Sequence, residues 1–280
     1  MKRLIVNADD FGRHELINKA VERGVVGGCL RSATLMPGGQ AFDSAVIVAK
    51  RYRELGVGVH FTLVNGFPVL PPEAIPSLVT EQGVFYDNYA LFVKRFVAGK
   101  VNFEEVRAEL GAQLQKLEQA GLKLTHVDSH QHMHTLPGII NIVLELAKSA
   151  GIKAVRIPRA PLFCGEFCGI GQLVGRWGLG TLARLAAVNT KCKQMITTEH
   201  FAGIVAGEAV EEHYFMDIIR NLKPGTTEVM MHPGMDNRVL VTDCNWNHDF
   251  EAELAAIMSP RVRELVIAGD VEITNFRAIV

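Results

Sequence analysis

The sequence predicts an α/β fold, a single (β/α) barrel of distorted TIM-like form with seven or eight parallel strands. Three observations lead there. Short apolar runs alternate with amphipathic segments, polar residues gather where the apolar runs end, and a length of 280 residues suits one barrel unit. With 48% hydrophobic and 21% charged residues, the chain can bury a large core and is not a disordered one.

Leu4 to Ala8 is the first apolar run, stopped by Asp-Asp-Phe-Gly, and His14 to Val25 then carries Leu16, Ile17, Ala20 and Val21 at helical spacing. The strand-helix unit recurs: Ser32 to Met36 precedes a helical Ala41 to Arg51, and Gly56 to Phe61 follows as a third buried strand. Residues 64–100, with Pro68, Pro71, Pro72 and Pro76, read as a long loop over one end of the sheet. From Asn102 to Ala120 the stripe of Phe103, Val106, Leu110, Leu114 and Leu117 predicts a helix, with Asn102 and Glu105 as a capping pair and Gly121 as the stop. Further strands are expected at Leu124 to Asp128, Ala154 to Ile157, Thr227 to Met231 and Val271 to Thr274. No repeat, linker or low-complexity tract divides the chain, so residues 1–280 are expected to form one domain with loop excursions near 64–100 and 160–200.

Twenty-nine basic against 30 acidic residues leave a net charge of −1, so no positive field is available to hold a nucleic acid. The N-terminal apolar run is too short for a secretory signal, which points to the cytoplasm. Five cysteines without a Cys-x-x-Cys pair read as reduced packing residues. The most apolar stretch, Ile170 to Val188, is interrupted by Arg176 and Arg184 and so does not predict a membrane span. Homo-oligomerisation and transient contact with a membrane surface are left open.

Chemistry is expected at the strand ends, which share one face of a (β/α) barrel. Asp9 and Asp10 follow the first strand, His60 lies near the end of the third, and His232 follows Glu228-Val229-Met230-Met231. Between them, His126-Val127-Asp128-Ser129-His130-Gln131-His132-Met133-His134 places four of ten histidines within nine residues. In an extended strand its even-numbered positions would face one way, but the ends of that set would lie about 26 Å apart at about 3.3 Å per residue. One or two of these histidines can therefore ligate a metal, and the others must hydrogen-bond, contact substrate or face water; spacing does not choose among them. Each feature also has a plainer reading: a solvated polar loop for the histidine cluster, a turn or helix cap for the aspartates, a packed core residue for His60. Two carboxylates beside imidazoles favour chemistry, since one can ligate a cation while the other accepts a proton.

The elements Asn7-Ala8-Asp9-Asp10-Phe11-Gly12, Gly58-Val59-His60, His126-Val127-Asp128-Ser129-His130-Gln131-His132-Met133-His134 and the strand ending in His232-Pro233 resemble, in this order, the signatures of the YdjC-like carbohydrate deacetylases. The loop Pro68-Val69-Leu70-Pro71-Pro72 and the overall length further resemble the hopanoid-biosynthesis-associated branch. The resemblance implies one divalent metal ion, zinc or magnesium, on Asp10, His60 and His130, with Asp9 as general base and His232 as general acid. Gln131 stands where the wider family often has histidine. The implied reaction is metal-dependent hydrolysis of the N-acetyl group of an amino sugar of N-acetylglucosamine type, on a chitooligosaccharide or a hopanoid-linked glycolipid. Arg156 is expected to orient a carboxylate, to contact substrate or to be a salt-bridged scaffold arginine, and His132 and His134 to line the substrate site. The apolar and glycine-rich segment from Phe163 to Val188, with Trp177 at its centre, is expected either to cover the site and receive a lipid or to be an ordinary outer helix. Rival functions are a barrel hydrolase acting on a phosphoester or another amide, and a non-catalytic metal- or sugar-binding protein.

Overall fold

The computed structural model describes residues 1–159, 170–204 and 209–280, with the side chains of 170–176 and of Cys192 left aside. In chain order the elements are β1 (Lys2–Phe11), α1 (Glu15–Gly27), β2 (Ser32–Leu35), α2 (Phe42–Arg51), β3 (Gly56–Phe61), α3 (Tyr89–Val97), α4 (Phe103–Gln119), β4 (Leu124–Ser129) and α5 (Ile139–Ser149). They continue as β5 (Ala154–Val155), α6 (Ile170–Cys192), β6 (His200–Ala202), α7 (Glu212–Arg220), β7 (Gly225–Met231), α8 (Asn237–Asp243), α9 (Phe250–Met258), α10 (Pro260–Ala268) and β8 (Val271–Ile273).

The strands form one parallel sheet in the order β5-β4-β3-β2-β1-β7-β6. Its two margins are joined by a single stretch: Ile196 exchanges backbone hydrogen bonds with Lys153 and Val155 (2.8 and 2.9 Å), and a few residues on, His200 to Ala202 pair with Thr227 to Val229. The sheet thus curls into a distorted (β/α) barrel. β8 joins beside residues Lys2 to Leu4 of β1, below the point where β2 takes over at Asn7. A sheet flanked by helices buries both faces of its strands, which is why β1, β2 and β3 read as near-continuous apolar runs.

Local chemistry explains the helix ends. His14 caps α1 by accepting from Leu16 N, and Ile17, Ala20, Val21, Gly24 and Val25 form its buried stripe. Ser259 caps α10, with Pro260 in the first turn. Asn102 caps α4 as expected, but Glu105 does not complete the reciprocal box: its carboxylate accepts from Ser77 N (2.7 Å), and Ser77 Oγ takes the Asn102 N–H (2.9 Å). The segment 64–100 is not all loop either, because it contains α3, capped by Asn88. That helix buries Phe92 and leaves Tyr89, Leu91 and Val97 exposed, so its sequence lacks a clean stripe. β6 is too short to announce itself, and β5 stops at Val155, two residues before its expected end.

The floor of the barrel is made by the C-terminal segment. Phe276 is fully buried with Ile5 and Ala154 and stacks on His126, ring centroids 3.7 Å apart at 11°. Gly58 is required opposite, since a Cβ there would stand 2.5 Å from the His126 ring.

Candidate metal centre

At the other end of the barrel, the register between β1 and β2 shifts between Ala8 and Phe11, and Asp10 adopts a left-handed φ of 59°. Adjacent strand residues normally face opposite ways; the irregularity lets both aspartates serve one site. Asp10 Oδ1 lies 3.2 Å from His60 Nε2 and 2.8 Å from His130 Nδ1. These ligand atoms fall within 4.8 Å of one another. Asp10 Oδ1 and His60 Nε2 are buried without a hydrogen-bond partner, an arrangement that costs free energy unless something charged completes it. The other ring nitrogen of His60 is 2.7 Å from Asp128 Oδ1, the carboxylate-histidine pairing that orients a metal-ligating imidazole. Two imidazoles and a carboxylate therefore fit a divalent cation, with zinc well suited.

Arg156 organises the layer beneath. It is fully buried and bidentate to Asp9 (2.6 and 2.7 Å), reaches Asp128 Oδ2 at 2.5 Å, and pairs through Nε with Glu228 (2.7 Å). Its guanidinium occupies the space between Asp9 and Asp128, so that pair with His60 does not offer a second cation site. Burial opposes charge on Asp9, but Arg156 holds its carboxyl below the usual range. Burial raises Glu228 to about 7 despite the same arginine. Asp9 Oδ1 also accepts from Asn7 Nδ2 (2.8 Å), and Asn7 is held by Ser32 Oγ (2.6 Å), so the carboxylate is fixed from two sides. Arg156 is thus ion-paired with three carboxylates and has no exposed surface.

The histidine-rich element does not stay extended. β4 ends at Ser129, and residues His130–Thr135 turn through a 3-10 segment in which Gln131 and His132 are left-handed (φ 50° and 59°). Only His126 and Asp128 keep the alternation expected of a strand. His134 is buried with both nitrogens engaged, by Ser129 Oγ (2.6 Å) and Arg156 O (2.9 Å), and burial lowers its pKa to about 4; it braces the loop and has no exposed surface. His132 lies edge-on to Phe201, 6.3 Å between centroids, with Nδ1 unpartnered. Gln131 Oε1 accepts from Tyr89 N (2.9 Å), tying α3 to the 130–135 turn.

His232 follows β7, one residue beyond the Ala8–Met231 pairing, which sets it beside Asp9 at the strand ends. Burial pushes its pKa down, opposed by Glu253, Asp9 and Asp10. Around it stand Trp246 (4.9 Å) and His248 (5.5 Å), while Glu253 accepts its backbone N–H. Sequence reasoning missed Asp128, Glu228, Trp246, His248 and Glu253. Alternation along β4 and β7 signals Asp128 and Glu228, but nothing in the spacing signals the other three. Trp177 sits on α6, 62% exposed, and α6 packs against α5 and the 130–135 turn. Phe163, at the start of the expected cover, lies outside the described residues.

A parallel (β/α) barrel whose C-terminal mouth gathers two buried histidines and a carboxylate has the layout of a hydrolase site that could hold a divalent cation. A profile of the YdjC-like proteins matches residues 3–268. The chain belongs to the YdjC-like family. It is 30% identical over 275 residues to a carbohydrate deacetylase of Brevibacillus brevis, covering 98% of each chain. It is also 29% identical over 274 residues to a carbohydrate deacetylase of Geobacillus stearothermophilus, covering 98% of this chain and 96% of that one. A crystal structure from Enterococcus faecalis, of a protein assigned to cellobiose-phosphate cleavage, shares the fold with a TM-score of 0.78 at 23% identity, covering 100% of this chain and 99% of the other. No helix among the described residues is long and apolar enough to cross a membrane.

Proposed function

We propose that the protein hydrolyses the N-acetyl group of an amino sugar, releasing acetate and leaving a free amine. The observation that carries this reading is the pairing of an incomplete donor set, Asp10, His60 and His130, with a second carboxylate, Asp9, fixed and ionised beside it. A divalent cation held by those three residues supplies Lewis acidity toward the acetyl carbonyl and toward water. Asp9, kept anionic by Arg156, accepts the proton that water loses as it attacks the acetyl carbon. Asp128 fixes the His60 ring, and Arg156 fixes Asp9 and Asp128 together, so ligand and base are set by one buried network. His232 delivers a proton to the departing amine. Its depressed pKa makes its protonated form a ready donor, and the carboxylates of Glu253, Asp9 and Asp10 favour that form.

For the acceptor we favour a lipid-linked sugar of hopanoid type, handled in the cytoplasm. Trp177, Leu185 and Val188 are exposed along one face of α6, and a helix-borne apolar stripe of this kind suits contact with a lipid. The test is mass spectrometry for loss of one acetyl group from N-acetylglucosamine conjugates, soluble and lipid-linked, with the metal content measured in parallel. His60→Ala and His130→Ala should each remove most of the metal and the activity. Trp177→Ala should slow the lipid-linked substrate alone. Protein that takes up no divalent ion, or releases no acetate from either class, overturns the reading.

A further inference from the structure

A second group of ligand-type side chains stands beside the first. His232, His248 and Glu253 bring their donor atoms within 4.8 Å of one another, and none of the three binds Asp10, His60 or His130 directly. His248 is 5% exposed, yet neither of its ring nitrogens has a hydrogen-bond partner. Its Nε2 lies 3.2 Å from Glu253 Oε1, an ion-pair distance. Two donors roughly 2.0 to 2.1 Å from a tetrahedral zinc would stand about 3.3 Å apart, so the spacing of this pair also suits a shared cation. Glu253, 1% exposed, is oriented by backbone N–H groups on both oxygens, from Val210 (2.8 Å) and from His232. Ligating carboxylates are held in this way in metal sites. Trp246 stacks on His248 at 3.9 Å and 19°, fixing the ring, and His232 is half-buried.

We propose that His232, His248 and Glu253 form a second, weaker site for zinc-class cations, and that filling it inhibits the enzyme. A cation there takes the His232 lone pair, so the imidazole can no longer carry a proton to the amine. The inhibitory consequence rests on the role given to His232 above; the cation site does not. The site is weaker because the Glu253 carboxylate already spends lone pairs on two backbone donors. Two imidazoles with one carboxylate select zinc or cobalt, and magnesium, which prefers oxygen ligands, should neither fill the site nor inhibit.

The full-length protein, stripped with a chelator, is titrated with zinc and with cobalt by calorimetry, with metal content measured after desalting. Two equivalents of different affinity are expected. His248→Phe, which keeps a flat ring against Trp246, and Glu253→Gln should each lose the second equivalent and retain the first. Trp246 is one of only two tryptophans, so in a Trp177→Phe background the second cobalt equivalent should quench the remaining fluorescence. Acetate release should rise with the first zinc equivalent and fall with the second in the parent protein, and should not fall in His248→Phe. A single equivalent in the parent, or a second equivalent that survives both substitutions, overturns the site. Two equivalents with no acetate release at any loading would leave the site standing and overturn the deacetylase reading instead.

Discussion

At the floor of the barrel His126 lies flat on Phe276, buried, with one nitrogen bonded to Thr125 Oγ1 (2.8 Å) and its pKa pushed by burial down to about 3. At the mouth, His60 meets three carboxylates, and although burial opposes its charge, Asp128, Asp10 and Asp9 raise its pKa to about 10. Both imidazoles project from neighbouring strands into the same barrel, and both are inaccessible to water. One behaves as a neutral aromatic and the other as a cation or a ligand for one. The difference lies in what surrounds each ring: apolar side chains and a glycine below, fixed carboxylates above. A buried histidine therefore says little by itself about chemistry; the charge of its neighbours decides.

The largest expected effect lies at the mouth. Asp9→Asn should lower turnover by about 10² to 10⁴-fold, the range of a lost general base, while the protein still binds its first metal equivalent. Asp10→Asn should lose that equivalent. Equal metal loss in the two variants would erase the distinction between base and ligand.

Arg156→Met leaves Asp9, Asp128 and Glu228 without their cation, and breaking a buried network of this kind costs about 3 to 5 kcal/mol. Urea unfolding at pH 7 measures it, and a loss below about 1 kcal/mol, the level of an exposed pair, would mean that the network contributes little to stability.

The contrast is sharpened by pH. His126 and His134 have native pKa values lowered to about 3 and about 4, below the ordinary value of about 6.5. Their contribution is present above pH 6.5 and is lost as the pH falls toward the native values, because the unfolded chain then binds protons that the native chain refuses. Each should cost about 1.4 kcal/mol per pH unit within that window. Unfolding midpoints at pH 7, 6 and 5 should fall less steeply for His126→Phe than for the parent, since that variant has one refusing imidazole fewer. At pH 7 the same substitution should have the smallest effect of all, within about 1.5 kcal/mol, because a phenyl ring of similar shape can keep the stack on Phe276. Parallel slopes for variant and parent would show that His126 is not held neutral by burial.

Much of this arrangement can be read from the chain itself. Alternating apolar runs and amphipathic stripes specify strands and helices, because burial on a sheet and on a helix imposes different periods, and the polar residues after those runs mark the strand ends where a barrel builds its site. Asp9, Asp10 and His60 stand out for that reason, whereas only the resemblance to the YdjC-like deacetylases distinguishes His130 from the other clustered histidines. Tertiary structure decided which histidine does what. The left-handed turn at Gln131 and His132 takes the later histidines off the strand face, Arg156 reaches across 147 residues to fix Asp9, and Glu253 reaches across 21 residues to hold His232. Local periodicity carries no information about such contacts. Their strength depends on the distance and dielectric between side chains, which exist only once the barrel has closed.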